Sequence, residues 1–211
     1  MSKVVLFAAS LLVVAGVASA GIIDPCNSPV VYTGPGIACY FSCPQGDNDS
    51  FSQQGFSFAF TVNDLVGQPI ENIPASDFWL IDCDPTLDLT LCAGSASSTA
   101  DSATNSNGQT TMSDGTLNAG GCADGLSPVV QGFVLEDPGA GCTPYCYTIL
   151  VRSPDLDGSL EVNLVDLALF SSCFPPQPYD KCCDFDCNAT INLQDLARFA
   201  FHFGPPGHKC N

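Results

Sequence analysis

The chain is expected to be mostly β with a small α portion at its C-terminal end: a β-sandwich followed by a pair of loop–helix units. Three observations predict this. Residues 22–151 hold short apolar runs separated by clusters of Gly, Ser, Thr, Asn and Asp, with no sustained helical period. From residue 153 the apolar spacing changes to that of amphipathic helices. That C-terminal stretch also contains two copies of one segment, 29 residues apart, as counted from Asp155 to Asp184. The expected division is a leader at 1–20, a disulfide-rich sandwich at 21–152 and a loop–helix module at 153–211.

The leader comes first. Lys3 supplies a positive start, residues 4–14 are an almost unbroken apolar run, and Ala18, Ser19 and Ala20 form a small-residue cleavage site. This pattern is a secretory signal peptide. Its apolar run is too short to cross a hydrocarbon layer of about 30 Å as a helix. A retained signal anchor is the alternative. Cys26 is too far from Ala20 to serve as a lipid attachment point, and no later segment approaches the ~18 apolar residues of a membrane helix. The mature chain is expected to begin near Gly21 and to work outside the cytoplasm.

Strands follow. Residues 56–62 alternate large apolar and small side chains with the period of a half-buried strand. Further strands are expected at 78–81, 129–135 and 145–151, separated by turn chemistry. Short strands between turn clusters suggest a sandwich. Trp79, the only tryptophan, is expected in the core beside Phe78 and Leu80 rather than on a sugar-stacking surface.

Charge and cysteine content exclude several functions. The chain carries 22 acidic and 5 basic residues, a net charge of -17. Arg152, Lys181, Arg198 and Lys209 are the basic residues beyond the leader. Such a surface repels phosphate backbones and anionic lipids, so nucleic-acid binding and membrane insertion are not expected. Divalent cations suit it better. Thirteen cysteines in an exported chain argue for disulfides, with one thiol left over, free or paired between molecules. A soft-metal site at Cys182, Cys183 and Cys187 is the competing explanation for part of them.

Residues 62–70 and 100–111 resemble the signature of bacterial immunoglobulin-like domains of the invasin kind: Val62, Asp64, Gly67, Pro69 and Ile70, then Thr104, Gly108 and Thr110. Their physical content is a turn after one strand and an Asn-Gly turn feeding another.

Within the repeat, oxygen-bearing side chains fall at loop positions one, three, five, nine and twelve. These are Asp155, Asp157, Ser159, Asn163 and Asp166 in the first copy, and Asp184, Asp186, Asn188, Asn192 and Asp195 in the second. Position seven, Glu161 or Thr190, offers a backbone carbonyl, and position nine often acts through water. Calcium accepts six to eight hard oxygens at flexible geometry, so two Ca2+ ions are expected. A pair of helix N-caps without an ion would explain Asn163 and Asn192, but not the alternating acids before them. Position six, ordinarily Gly, is Leu160 or Ala189. A left-handed backbone at a non-Gly residue costs on the order of 1 kcal/mol, which predicts weakened affinity.

Residues 153–204 resemble the type I dockerin domain, since both halves carry loop acids followed by the pattern V/I-N-x-x-D-L-A-x-F. The resemblance implies two calcium ions, EF-hand-like loop–helix motifs related by near two-fold symmetry, and attachment to a cohesin on another protein. Positions ten and eleven, often a hydroxyl pair in cellulosomal dockerins, are Leu164-Val165 and Leu193-Gln194, a departure from that pattern at the residues that read the cohesin. Asn188 opens a formal N-glycosylation sequon, and a glycan there would destroy a ligand, which points to a bacterial exporter or at least to an unmodified site.

No nucleophile motif, phosphate-cradling loop or His-containing metal signature occurs. The histidines, His202 and His208, fall near the C-terminus, and His202 is expected to be a surface or packing residue. The expected function is non-enzymatic: a secreted or cell-surface calcium-binding protein whose module mediates assembly. The alternative is a carbohydrate-binding accessory component of a polysaccharide-degrading system.

Overall fold

The computed structural model describes residues 21–44, 49–84, 89–92 and 98–203. The signal peptide expected at 1–20, together with His208, Lys209 and Cys210, lies outside the described residues.

The described chain is mostly β with two short α-helices. Its strands are β1 (Val30–Thr33), β2 (Ala38–Phe41), β3 (Ser57–Thr61), β4 (Phe78–Asp82), β5 (Thr90–Leu91), β6 (Gln109–Met112) and β7 (Ala119–Gly120). They continue with β8 (Cys122–Ala123), β9 (Leu126–Val130), β10 (Phe133–Val134), β11 (Glu136–Asp137), β12 (Thr143–Pro144) and β13 (Ile149–Arg152). Three sheets have three strands each, in the orders β1-β3-β6, β10-β9-β4 and β2-β13-β8, and two pairs, β5-β7 and β11-β12, complete the set. The period-two pattern of residues 56–62 becomes β3, which buries Phe58 and Phe60 and turns Ala59 outward. Those rings join Phe78, Leu80, Met112, Val130, Ile149 and Val151 in one core drawn from all three larger sheets.

Three sequence expectations need correction here. Residues 129–135 form a hairpin, not one strand. Gln131 (φ 50°) and Gly132 (φ 86°) both adopt the left-handed region, and Phe133 pairs back onto Val130. Two consecutive positive-φ residues give the tight turn that suits strand twist. Trp79 alternates away from Phe78 and Leu80, opposes Val129 across the ladder, and is half-buried rather than in the core. The run at 145–151 is regular only over β13; Tyr147 makes a lone bridge to Leu126.

The turn chemistry of residues 63–69 and 105–109 is realised in atoms. Asp64 Oδ1 accepts from the Val66 and Gln68 amides, and Asn105 Oδ1 from the Asn107 and Gln109 amides. Gly108 (φ 70°) lies so close to the Val62 carbonyl that a Cβ would collide with it, and β6 then pairs antiparallel with β3.

Strand β13 passes directly into the C-terminal module. Helices α1 (Leu164–Cys173) and α2 (Leu193–His202) each start with a capping box, Asn163 with Asp166 and Asn192 with Asp195. Their apolar faces meet in a second core. Phe170 stacks between Phe185 and Phe199 with ring centroids 5.3 Å apart on both sides. Cys43 belongs to this core and Phe41, the last residue of β2, packs against it, so it is shared between the β-rich portion and the module.

The bridges among the described residues include Cys26–Cys142, Cys39–Cys187, Cys83–Cys146, Cys122–Cys182 and Cys173–Cys183. Cys92 is also disulfide-bonded. Cys182, Cys183 and Cys187 are thus consumed as bridges, which removes the soft-metal alternative. This density of disulfides fits an oxidising, extracellular environment. Among the described residues no helix is long and apolar enough to cross a membrane.

Candidate metal centre

The first loop begins where β13 ends. The Asp155 amide donates to Ser153 Oγ at 3.2 Å, and that hydroxyl donates to the Ala119 carbonyl at 3.0 Å. Asp155 is 0% exposed. Its Oδ1 accepts from the Ser159 amide at 3.1 Å and its Oδ2 from the Leu160 amide at 2.7 Å. Four residues are thereby wound around one carboxylate. Asp157 Oδ1 accepts from the same Ser159 amide at 3.0 Å. Asp166, on the first turn of α1, reaches back so that Oδ1 accepts from Leu156 and Oδ2 from Asn163, both at 2.8 Å.

The second loop repeats this arrangement. Asp184 Oδ1 accepts from Asn188 at 3.1 Å and Oδ2 from Ala189 at 2.7 Å. Asp186 Oδ1 accepts from Asn188 at 3.2 Å. Asp195 Oδ1 accepts from Phe185 at 2.8 Å and Oδ2 from Asn192 at 2.9 Å. Equivalent bonds in the two loops agree within 0.2 Å, so the sequence repeat is also a repeat in space.

Each loop gathers three carboxylates. Ligand-capable oxygens of Asp155, Asp157 and Asp166 lie within 4.8 Å of one another, as do those of Asp184, Asp186 and Asp195. The position-seven carbonyls join them. The Glu161 carbonyl accepts from Ser159 Oγ at 3.3 Å and Asn163 Nδ2 at 3.1 Å, and the Thr190 carbonyl accepts from Asn192 Nδ2 at 3.2 Å. Asn163 and Asn192 do two jobs at once, because their Oδ1 atoms accept from the Val165 and Gln194 amides as helix caps. Each of these oxygens keeps a second lone pair, and position nine often acts on an ion through water. Asn188, at position five of the second loop, is exposed.

The backbone shows how the sequence closes these loops. Leu160 (φ 66°) and Ala189 (φ 64°) stand at position six in the left-handed region, as the missing glycines required. Position four is left-handed too, with Gly158 at φ 66° and Cys187 at φ 55°. Sequence reasoning missed position four, although Gly158 was a visible signal. It also missed Tyr179, whose hydroxyl donates to Asp184 Oδ2 at 2.7 Å, and Gly120, which packs against Asp155 from β7.

Electrostatics decide what the site wants. Burial pushes the Asp155 carboxyl up to about 7, and the charges of Asp157 and Asp166 push the same way. Burial also raises Asp166, and burial with the charge of Asp195 raises Asp186. The Ser159 side chain holds Asp157 below its ordinary value. Among the described residues, the ion pairs formed by Arg152 and Lys181 both go to Asp124, and none reaches these six acids. Asp124 itself would be raised by burial, but Lys181 and Arg152 outweigh that and hold it low. Converging carboxylates and carbonyls with no protein cation suit a hard divalent ion. The residues present fit calcium.

No protein-family model and no curated protein matches the chain. Among solved structures, the Lin-41 filamin domain aligns over 60% of this chain and 95% of that one at 18% identity, with a TM-score of 0.25, too low for shared architecture to follow.

Proposed function

We propose that this is a secreted, non-catalytic, calcium-binding modular protein. Its immunoglobulin-like β-sandwich carries a dockerin-like pair of EF-hand-like loop–helix motifs, and that pair assembles with a protein partner of the cohesin kind. One observation carries the proposal: the same oxygen-lined loop occurs twice, with matching hydrogen bonds and the same left-handed residues at positions four and six. Asp155, Asp157, Ser159, Asp166 and the Glu161 carbonyl would hold one ion, with Asp184, Asp186, Asn188, Asp195 and the Thr190 carbonyl holding the other. Calcium would offset most of the charge of the three carboxylates in each loop and, through position twelve, tie each loop to its helix.

Support for docking comes from the helix starts. Leu164 and Leu193 occupy the same place in the two copies and are 72% and 73% exposed. Val165 and Phe201 are exposed as well. Large apolar side chains presented twice in register are what a self-similar recognition face requires. His202 fits a packing role, its ring 5.0 Å from that of Phe41. Secretion is supported by the bridges.

The test is capture of the full chain on an immobilised cohesin module. Retention in millimolar calcium with release by EGTA supports both ion and partner. Calcium uptake without retention would remove the cohesin partner and leave the ion.

Polysaccharide binding is favoured by one feature. Tyr32, Tyr147 and Tyr145 stack in series, at 5.1 and 5.5 Å between centroids, along a shallow groove that also includes Asp137 and Thr143. Aromatic faces beside polar groups are suited to sugar rings. Retention on cellulose or chitin, lost in a Tyr145→Ala chain, would establish it.

A further inference from the structure

Beyond the Tyr179 hydroxyl on Asp184, each loop has one hold that comes from the β-rich portion, and the two holds differ. At the first loop, β7 ends in Gly120, and a Cβ added there would be driven into the Asp155 carboxylate, within 2.7 Å of its Cγ and 3.2 Å of Gly158 Cα. The next amide, Gly121, donates to the Asp155 carbonyl at 2.6 Å. Ser153 links the same two segments through Ala119. Position one of the first loop is thus seated on a glycine surface that no larger residue could provide.

Among the described residues no glycine seats the second loop in this way. Its position four is Cys187, left-handed at φ 55° where the first loop uses Gly158, and its position six, Ala189, is left-handed too. Two non-glycine residues in this region within three positions persist only where the surroundings over-determine them. The surroundings here include a covalent bond, since Cys187 is bridged to Cys39 in β2. The neighbouring Phe41 packs edge-on against Phe185 at 5.8 Å, reinforcing the same junction.

We infer that the metal loops are positioned by the β-rich portion, the first by Gly120 with Ser153 and the second by the Cys39–Cys187 bridge, so that the module is an ion site completed by its neighbour rather than a separable cassette. This rests on the calcium assignment above. The fold builds one ion-binding unit across the junction, with Gly120, Ser153 and Cys39 as positioning residues that need not touch the ion.

Calorimetric calcium titration of the full chain tests this, with each loop read alone. Asp184→Asn leaves the first loop intact and Asp155→Asn leaves the second. In the Asp184→Asn background, Gly120→Ala is expected to weaken calcium binding at least tenfold, and the milder Ser153→Ala about three- to fivefold. In the Asp155→Asn background neither has an effect, whereas the Cys39→Ser/Cys187→Ser pair weakens binding at least tenfold. Should Gly120→Ala fail to fold, Ser153→Ala still reads the first loop. Parent-like affinity for Ser153→Ala and for the cysteine pair, in a chain that binds two ions, would overturn the positioning alone. A parent chain that takes up no calcium would instead overturn the assignment on which it rests.

Discussion

Replacing Asp155 by Asn should make the calcium-free protein more stable at pH 8 while abolishing one ion site. The carboxyl has an ordinary unfolded value near 3.9 and is pushed up to about 7 in the folded chain by burial and by Asp157 and Asp166. A folded value above the unfolded one means the proton is held more tightly in the native state. Its stabilisation is present below pH 4 and is lost as pH rises through 7. Roughly three pH units at ~1.4 kcal/mol each give about 4 kcal/mol of destabilisation at pH 8. Asn carries no charge to desolvate, and it can keep one acceptor for the Leu160 amide, which now reaches Oδ2 at 2.7 Å. Losing the second bond, to the Ser159 amide, offsets about 1 kcal/mol. The net gain is about 3 kcal/mol at pH 8 in EGTA, shrinking to nothing or reversing near pH 4. Urea unfolding with disulfides intact, followed by helix signal, measures it. In millimolar calcium the order inverts, because the parent gains the free energy of an ion that the variant cannot bind. A variant less stable than the parent by the same margin at both pH values, without metal, would refute the reasoning.

Other perturbations have clear signs. Leu160→Gly and Ala189→Gly remove non-glycine side chains from left-handed backbone at φ 66° and 64°. Relief of about 1 kcal/mol should tighten calcium at the corresponding site about fivefold by calorimetry. Phe170→Ala empties the stack between Phe185 and Phe199 and should cost about 3–5 kcal/mol in urea unfolding with calcium present. Asp124→Ala strips the carboxylate from Arg152, which is 3% exposed, and should cost about 3–5 kcal/mol, whereas Arg152→Met with Asp124→Ala together should recover much of it.

Legibility in the sequence followed the range of the interactions. Strands whose pattern is local were readable: β3 declares itself by alternation, β4 by a short apolar run, and the helices by their apolar spacing and by Asn163 and Asn192 as caps. The hairpin at Gln131 and Gly132 was hidden because a Gln in left-handed backbone gives no compositional warning. Strands as short as β5 and β7 exist only through the pairing of Thr90 with Gly120 and Leu91 with Ala119, and no local signal encodes that. At the candidate site, the three carboxylates that each loop brings together could be named from spacing, and the position-six backbone could be foreseen from Leu160 and Ala189. What supports the loops could not. The Cys39–Cys187 bridge spans 148 residues, and the fit of Gly120 against Asp155 joins segments that only the folded sheets bring together. Trp79 illustrates the same limit, since its apolar neighbours Phe78 and Leu80 face the core while alternation turns it away.

Calcium stoichiometry of the purified, disulfide-intact chain is the most direct measurement. Native mass spectrometry after exchange into calcium at neutral pH should show two ions per chain, both removed by EGTA, one lost in Asp155→Asn and the other in Asp184→Asn. A chain carrying no calcium, or the same count in parent and both variants, would contradict the assignment of these twin loops as ion sites.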